Sequence, residues 1–344
     1  MDASKFRFLV RFFLALLVAL TVSTFPACKK KAEAPPPPPP TPTPVIPPGS
    51  VVFIQRGHLV RLDMESNQVT PLTGGKSTEW FPSCSPKGDQ VVYWSNSADG
   101  VYNLWKINLD GSSRAQLTFD DTDSLDTNDQ NLLVNTAPSW SPDGKRILYA
   151  SRGDIWVMDA DGFNPESVLM GRHALCPLFA PDVKTVLFVS NQDDPVYNLY
   201  SLNLADKTVK KVTNYTDWNV GSPSFSLDGK KVLYNLYRSN VTQVYTANAQ
   251  DGTEPLNITN NNRSLCPKYA LNGRKIIYCA YGSGDDVTLN LYQMNANGTE
   301  VKSLTSEGGS SPSWAPARIL TALPSPVASP VATPAAALPT PVGK

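Results

Sequence analysis

Short runs of alternating apolar residues, separated by turn-forming residues, make up most of the chain. Residues 137–151, APSWSPDGKRILYAS, show the repeating unit most clearly. Pro142 presets φ at the second position of a tight turn, and Asp143 and Gly144 tolerate the backbone angles that the next positions need. The run that follows, RILYAS, is largely apolar at both alternating sets of positions. This pattern predicts a β-hairpin whose sheet is covered on both faces.

The hairpin motif recurs along the chain, and a proline near its start marks every copy. The other copies are FPSCSPKGDQVVYWS (81–95), CPLFAPDVKTVLFVS (176–190), SPSFSLDGKKVLYNL (222–236), CPKYALNGRKIIYCA (266–280) and the shorter SPSWAP (311–316). These prolines lie 39 to 56 residues apart, which is in the range of propeller repeats. Residues predicted to fill the space between neighbouring sheets are Trp140, Phe179, Phe225, Tyr269 and Trp314, with Cys84 at this position in the first copy.

A second motif follows each complete hairpin motif. Its copies are NLWKIN (103–108), DIWVMD (154–159), NLYSLN (198–203), QVYTAN (243–248) and NLYQMN (290–295), and HLVRLD (58–63) precedes the first hairpin motif. The chain therefore begins with a second half and ends with a first half, and residues 51–73 are predicted to pair with residues 311–316. Because one such sheet cannot bury both faces alone, the sequence predicts an all-β fold, a six-bladed β-propeller closed by the N-terminal and C-terminal half-blades.

The two ends of the chain differ from the repeats in composition. Residues 1–27 contain basic residues, an apolar run and a small residue before Cys28, which predicts a lipoprotein signal peptide with lipidation at Cys28. The cleavage motif before Cys28 departs from the usual lipoprotein motif at Phe25-Pro26, and a secreted form and a single membrane span are the alternatives. Residues 28–49 predict an extended Lys/Pro-rich linker, residues 50–316 the propeller, and residues 317–344 a disordered Pro/Ala-rich tail.

The repeat pattern PSWSPDGKxIxY, followed by IWxMDxDG and LT, resembles the WD-like repeat of TolB-type propellers over residues 51–316. The resemblance implies a six-bladed propeller of the bacterial cell envelope that binds an envelope protein or peptide, and we expect a monomer. TolB-type proteins carry an α/β domain before the propeller and no lipid anchor, whereas a proline-rich segment and Cys28 stand here. Lys29, rather than Asp, after the cysteine favours the outer membrane over the inner one, and the cell surface is a further alternative.

The binding surface of such propellers is expected on the rim that carries the linkers between blades. Five residues of types common in interfaces and sugar-stacking platforms fall in these linkers: Trp80, Arg172, His173, Trp218 and Arg263. Packing at a blade edge is the alternative for the aromatic residues, and a solvated loop is the alternative for the arginines. The rim tryptophans and the richness in Asn and Asp also make a glycan-binding module an alternative function.

Several other function classes find little support in the sequence. The net charge is zero, so a nucleic-acid partner has no electrostatic basis. The chain has two histidines and no G-x-S-x-G motif, so a lyase-type or lactonase-type propeller enzyme is the least supported hypothesis. The insertion at 119–136 holds five aspartates but lacks the Gly and Glu of an EF-hand loop, which favours a hydrated loop over a metal site. No cofactor is expected.

Four cysteines besides Cys28 would lie in an oxidising compartment. If Asn272 and Gly273 form a two-residue hairpin loop, strict pairing places Cys266 opposite Cys279 and predicts a disulfide. A three-residue turn would shift the register by one and send the two side chains to opposite faces. Cys84 is expected to be a buried free thiol.

Overall fold

The repeats form antiparallel strands in six four-stranded sheets, so the predicted all-β propeller is confirmed. The computed structural model describes residues 49–97, 100–119, 137–270, 273–282 and 288–317. Within these ranges there are 24 strands and no helix. The predicted signal peptide and lipidation site lie outside the described residues, as do nearly all of the predicted linker and tail.

The first three strands and the last strand of the chain form one blade, which we number 6. The chain enters this blade with β1 (Ser50–Gln55), β2 (His58–Asp63) and β3 (Val69–Pro71). Blade 1 contains β4 (Glu79–Cys84), β5 (Gln90–Ser95), β6 (Asn103–Asn108) and β7 (Ala115–Gln116). Blade 2 contains β8 (Ser139–Trp140), β9 (Arg146–Ser151), β10 (Asp154–Asp159) and β11 (Glu166–Leu169).

The next three blades follow in chain order. Blade 3 contains β12 (Leu175–Phe179), β13 (Thr185–Ser190), β14 (Asn198–Asn203) and β15 (Val209–Lys211). Blade 4 contains β16 (Asn219–Phe225), β17 (Lys231–Arg238), β18 (Val241–Asn248) and β19 (Leu256–Asn257). Blade 5 contains β20 (Ser264–Ala270), β21 (Lys275–Tyr281), β22 (Leu289–Asn295) and β23 (Lys302–Ser303).

The ring is closed by β24 (Ser310–Ala315), which becomes the innermost strand of blade 6. It pairs antiparallel with β1, and Val51 lies opposite Trp314 while Val52 lies opposite Ser313. The sheet order of this blade is β24-β1-β2-β3, so the predicted pairing of the two half-blades is confirmed. Because the first and last strands share backbone hydrogen bonds, the two ends of the propeller hold each other in place.

Six hydrophobic clusters hold the ring together, and each one lies between two adjacent blades. Between blades 1 and 2, for example, Trp94 and Leu104 cluster with Trp140 and Ile147. Cys84 occupies the corresponding place between blades 6 and 1, as predicted from the motif. A fully buried Leu, Ile or Phe side chain contributes about 1.5–3 kcal/mol to folding. Every blade therefore depends on both of its neighbours for stability.

An irregularity recurs at the same point of five inner strands. The residue before the motif proline has a left-handed φ of 49 to 52°, and these residues are Phe81, Cys176, Ser222, Cys266 and Ser311. In each of these blades the strand register shifts at this residue. Such a β-bulge adds one residue to a strand and bends it. In each blade, the proline, the residue after it, or both line the space around the ring axis.

The threonine of the LT motif fixes the start of five linkers. Its Oγ accepts a hydrogen bond of 2.9 Å from a backbone amide of the third strand of the same blade. These threonines are Thr73, Thr118, Thr213, Thr259 and Thr305. The motif therefore returns the chain from the outer strand of one blade toward the inner strand of the next at a defined point.

Candidate functional site

We call one face of the ring the linker rim; it is formed by the linkers between blades and by the loops between the second and third strands. Five linkers are each tied to the loop of the blade that they enter. The ties are Thr78 N to Asn96 Oδ1 (2.8 Å), Arg172 to Asp193 (2.6 Å), Asp217 to Arg238 (2.6 Å), Glu307 to Arg56 (3.6 Å) and Arg263 Nη1 to the Gly282 carbonyl. The rim is therefore a largely preformed surface, which lowers the entropic cost of binding.

Both predicted rim arginines take part in these ties. Arg172 is half-buried, and its guanidinium lies 5.8 Å from the centre of the Tyr200 ring as well as against Asp193. Arg263 forms a parallel β-bridge with Thr242, and its carbonyl accepts the Tyr281 amide. Each arginine therefore joins a linker to the following blade.

The other three predicted residues differ in how much they expose. Trp80, in the second position of β4, has 39% of its surface exposed, and its Nε1 donates to the Tyr102 hydroxyl at 3.1 Å. Trp218 is partly buried against the cluster between blades 3 and 4, as the blade-edge alternative predicted. His173 is exposed and has a left-handed φ of 45°. Four of the residues lie in three linkers of the linker rim, and Trp80 stands at the start of β4, just after a fourth linker.

Three exposed apolar side chains stand on consecutive linkers, at one half of the rim. Trp80 belongs to the junction of blades 6 and 1, Phe119 to that of blades 1 and 2, and Met170 to that of blades 2 and 3. Phe119 and Met170 are 76% and 68% exposed. Neither Phe119 nor Met170 was among the five residues selected from the sequence, although Phe119 begins the 119–136 insertion.

A groove of about 570 Å³ lies between blades 1 and 2, beside Phe119. Aromatic side chains line much of it, including Tyr149, Trp156 and the exposed Phe163. The groove exists where the outer strand of blade 1 has two residues and the inner strand of blade 2 has two, so the sheet edges there are short. Phe119 thus belongs both to the linker rim and to the lining of this inter-blade groove.

The ring axis contains a smaller cavity of about 110 Å³. Prolines and serines of the inner strands line it, together with the half-buried Lys268. The Lys268 Nζ donates to the Pro223 carbonyl at 3.3 Å. Burial lowers the pKa of Lys268, since desolvation disfavours the ammonium form. Lys268 occupies the motif position that is serine in four copies and leucine in one, and this departure was the sequence signal for it.

A buried carboxylate at the junction of blades 6 and 1 was also missed by the sequence analysis. The Glu79 side chain is fully buried, and its oxygens lie within 3.5 Å of five donors. These are Ser77 Oγ (2.7 Å), Thr73 Oγ (2.9 Å), His58 Nδ1 (3.0 Å), Ser95 Oγ (3.2 Å) and Arg114 Nη2 (3.5 Å). The cluster joins both blades and their linker, and it has a structural role.

The strand pairing around the cysteines differs from the pairing predicted from the sequence. Lys268 pairs with Ile277 as strict pairing requires, but the bulge at Cys266 shifts the register so that Leu265, not Cys266, lies opposite Cys279. Cys84, Cys176, Cys266 and Cys279 are all free of disulfide bonds in the structure. The Cys279 thiol nevertheless lies close enough to Cys266 to lower the pKa of that thiol. Cys84 is a partly buried thiol, and desolvation raises its pKa to about 12.

The acidic insertion lies outside the described residues after Phe119. In the ranges that the structure describes, no group of three or more His, Cys, Asp and Glu side chains is arranged to hold a metal ion. The same ranges contain no helix of the length and apolarity that a membrane crossing requires.

The two histidines lie on the linker-rim side of different blades. His58 Nδ1 bonds to the buried Glu79, so this imidazole belongs to the blade junction. His173 packs its backbone against Gly153, where an added Cβ would come within 3.1 Å of the His173 Cα. Among the described residues, the structure gives no hydrogen bond from a serine or cysteine to either imidazole, which a Ser-His or Cys-His nucleophile would need.

Comparison with known protein families identifies the repeat. The family model of the TolB beta propeller domain matches residues 137–323, more than half of the chain. A second model, the dipeptidyl peptidase IV N-terminal region, matches residues 55–154.

Curated relatives are similar at moderate identity. An uncharacterized protein of Agrobacterium fabrum is 26% identical over 175 residues, covering 49% of this chain and 57% of that protein. The Tol-Pal system protein TolB of Francisella tularensis subsp. mediasiatica is 24% identical over 237 residues, covering 65% of this chain and 53% of that protein. The chain thus spans little more than half the length of these relatives.

Solved structures share the fold. TolB from Acinetobacter baumannii superposes with a TM-score of 0.64 at 21% identity, covering 78% of this chain and 67% of that one. A putative TolB from Agrobacterium tumefaciens gives 0.61 at 17% identity, covering 78% and 94%. A puromycin-hydrolyzing peptidase of Mycobacterium tuberculosis gives 0.53 at 15% identity, covering 78% and 45%, so the fold alone does not decide between binding and catalysis. The family match and the six closed blades together show that the chain belongs to the TolB β-propeller domain family.

Proposed function

We propose that this protein is a lipid-anchored propeller of the bacterial cell envelope that docks a protein or peptide on its linker rim. Membership of the TolB β-propeller domain family supports the fold and the general role. The Francisella relative is named as a component of the Tol-Pal system, which supports an envelope setting and a protein partner. The partner of this chain is not identified by that likeness.

The observation that carries the docking proposal is the row of exposed apolar side chains on three consecutive linkers. Trp80, Phe119 and Met170 expose large apolar surfaces on a rim whose loops are tied in place. Large exposed apolar side chains on a preformed rim can anchor a partner, and aromatic side chains dominate the binding energy of such interfaces. The half of the rim above blades 1 to 3 is therefore the docking surface.

A photo-crosslinking amino acid at Met170 tests this proposal in living cells. The matched control is Leu227, which is 67% exposed but lies in a hairpin turn on the opposite rim. We expect a discrete crosslinked adduct from position 170 and none from position 227. Equal labelling from both positions, or none from position 170, would contradict docking on the linker rim.

Once the partner is purified, substitution of Trp80 measures the strength of the contact. Trp80→Ala is expected to raise the Kd at least about tenfold, as for the aromatic residues that dominate an interface. Leu227→Ala should leave the Kd unchanged. Urea unfolding of both variants checks that each is folded under the conditions of the binding measurement, since Trp80 is only 39% exposed and its removal also costs some packing.

The proposed lipid anchor is tested separately. The full chain should incorporate labelled fatty acid in a bacterial host and sediment with the outer-membrane fraction, because the signal peptide is followed by Cys28. Cys28→Ser should lose both properties. A labelled Cys28→Ser variant, or an unlabelled wild type, would overturn the anchor without affecting the docking proposal.

The exposed Trp80 indole also supports a second candidate function, a glycan-binding module. An aromatic face is a common platform for sugar rings. A glycan array separates the two candidates, since protein docking predicts no binding to the array and glycan recognition predicts saturable binding that Trp80→Ala abolishes. A propeller enzyme of lyase or lactonase type is the least supported candidate, because the sequence has no G-x-S-x-G motif.

A further inference from the structure

The cavity on the ring axis has a composition that differs from the rest of the interior. Its described lining carries one charged side chain, Lys268, and no carboxylate. The ammonium has a neutral hydrogen-bond partner in the Pro223 carbonyl and no ion pair among the described residues. A partly buried charge without a counter-ion in its cavity is unfavourable, because a neutral dipole replaces only part of the lost hydration.

Serine hydroxyls line the same cavity, and two of them already accept hydrogen bonds from backbone amides. Ser313 Oγ accepts the Cys84 amide of the next blade at 2.9 Å, and Ser224 Oγ accepts the Tyr269 amide at 3.3 Å. A hydroxyl that accepts through a lone pair still has its own proton to donate. Ser313 and Ser224 can therefore each offer an O–H toward the axis.

Two thiols interact electrostatically with the Lys268 ammonium, Cys176 and Cys266. The neighbouring Cys279 thiol and the charge of Lys268 lower the pKa of Cys266, but its thiol is not part of the cavity lining. Cys176 lines the cavity, but desolvation raises its pKa to about 12, so it is a neutral thiol near pH 7. The cavity volume of about 110 Å³ exceeds the roughly 30 Å³ that a water molecule occupies in the liquid. It can therefore hold several waters or one small polyatomic ion.

We propose that the axial cavity binds one small oxyanion, such as phosphate, sulfate or a carboxylate, held by the Lys268 ammonium and by hydroxyls of the inner-strand serines. The anion is the counter-ion that the cavity lining lacks. Charge-assisted hydrogen bonds from Lys268 and neutral ones from Ser224 and Ser313 replace its hydration. The site uses inner strands of different blades, so an occupied cavity also joins blades 4, 5 and 6. It goes beyond the proposed docking and does not depend on it.

Thermal unfolding of the purified protein tests the site at constant ionic strength, with chloride replaced stepwise by phosphate, sulfate or acetate. A ligand that binds only the folded protein raises Tm with concentration. We expect a saturable rise with at least one oxyanion, and the order of the three identifies the preferred chemistry. Lys268→Met should weaken that binding at least about tenfold, the effect of deleting a charged hydrogen-bond partner.

The matched control is Lys302→Met, which removes an exposed lysine from β23 of the same blade. It should keep the full rise in Tm. Diffraction from wild-type crystals soaked in selenate gives a readout that needs no variant, and we expect an anomalous peak within hydrogen-bonding distance of the Lys268 Nζ. No oxyanion-specific rise in Tm, an undiminished rise in Lys268→Met, or no selenate peak on the axis would overturn the proposal.

Discussion

Glu79 is the residue on which the junction of blades 6 and 1 depends. Its carboxylate is fully buried and within reach of three hydroxyls, one imidazole and one guanidinium. A buried polar group in such a position is stable only while its partners surround it. Removing this carboxylate leaves hydrogen-bond donors from two blades without an acceptor, so the whole junction is destabilised.

Glu79→Ala is therefore expected to lower the free energy of unfolding by about 2–4 kcal/mol. Glu254→Ala is the control, since Glu254 forms an exposed ion pair with Lys231 and its loss should change stability little. Urea denaturation of the two variants beside the wild type measures the difference. A similar unfolding midpoint for Glu79→Ala and wild type would show that the cluster does not stabilise the junction.

Cys266 and Cys279 are expected to form a disulfide under oxidising conditions, although the structure holds them as thiols in contact. In exchange with oxidised glutathione, one protein thiolate attacks the glutathione disulfide, which forms a mixed disulfide and releases one glutathione thiolate. The second protein thiol then attacks the mixed disulfide and releases the other glutathione. Intact mass after alkylation should show two fewer modifiable thiols than in the reduced protein. Cys279→Ser should abolish this loss and Cys84→Ser should keep it, whereas an unchanged thiol count in the wild type would refute the pairing.

At the residue scale, the sequence predicted which residues lie between blades better than it predicted which side chains contact one another. Trp140 and its counterparts were assigned to the space between blades because the motif repeats them in phase. The partners of Glu79 could not be predicted, since they come from two blades and a linker. The bulge at Cys266 was missed because local alternation gives no sign of a left-handed residue before proline, where the following ring already restricts the backbone.

At the scale of the elements, the hairpin turns contain titratable groups that stabilise the fold. Asp143 accepts hydrogen bonds from the Ser141 hydroxyl at 2.6 Å and the Lys145 amide at 3.1 Å. Asp228 does the same with Ser226 at 2.7 Å and Lys230 at 3.1 Å. These hydroxyl and amide donors lower the pKa of both carboxyls, because they favour the ionised form.

The depressed pKa of these aspartates predicts acid sensitivity. A group with a lower pKa in the folded state stabilises it fully above the unfolded value of 3.8, and this stabilisation is lost as the pH falls below that value. The urea midpoint should therefore fall between neutral pH and pH of about 3. Asp143→Asn with Asp228→Asn keeps an acceptor but removes the titration, so the double variant should show a smaller fall. An equal fall in both proteins would contradict this assignment.

The turn chemistry and strand order were predictable because each element is specified by a few adjacent residues. Pro142, Asp143 and Gly144 determine one turn regardless of the rest of the chain. The linker rim was less predictable, because its ties join segments about 20 residues apart, such as Arg172 with Asp193. Phe119 and Met170 come shortly after the outer strands β7 and β11, and periodicity does not encode whether a residue beyond the end of a strand is exposed.

At the scale of the whole molecule, the ring explains why a repeated sequence gives one stable unit. Each of the six clusters needs two blades, so loss of one blade edge exposes apolar surface on its neighbours. The phase of the repeats revealed the closure, because the chain starts and ends with complementary halves. The linker rim and the axial cavity both require that closure, since their residues come from successive blades around a complete circle.

Thermal unfolding of two truncated proteins tests the closure most directly. Removing residues 318–344 leaves all described strands intact, and this variant should unfold in one cooperative transition at the wild-type temperature. Removing residues 310–344 deletes β24, which takes Trp314 from the cluster between blades 5 and 6. That variant should lose cooperative unfolding or aggregate. Indistinguishable unfolding of the two truncated proteins would contradict a ring closed by β1 and β24.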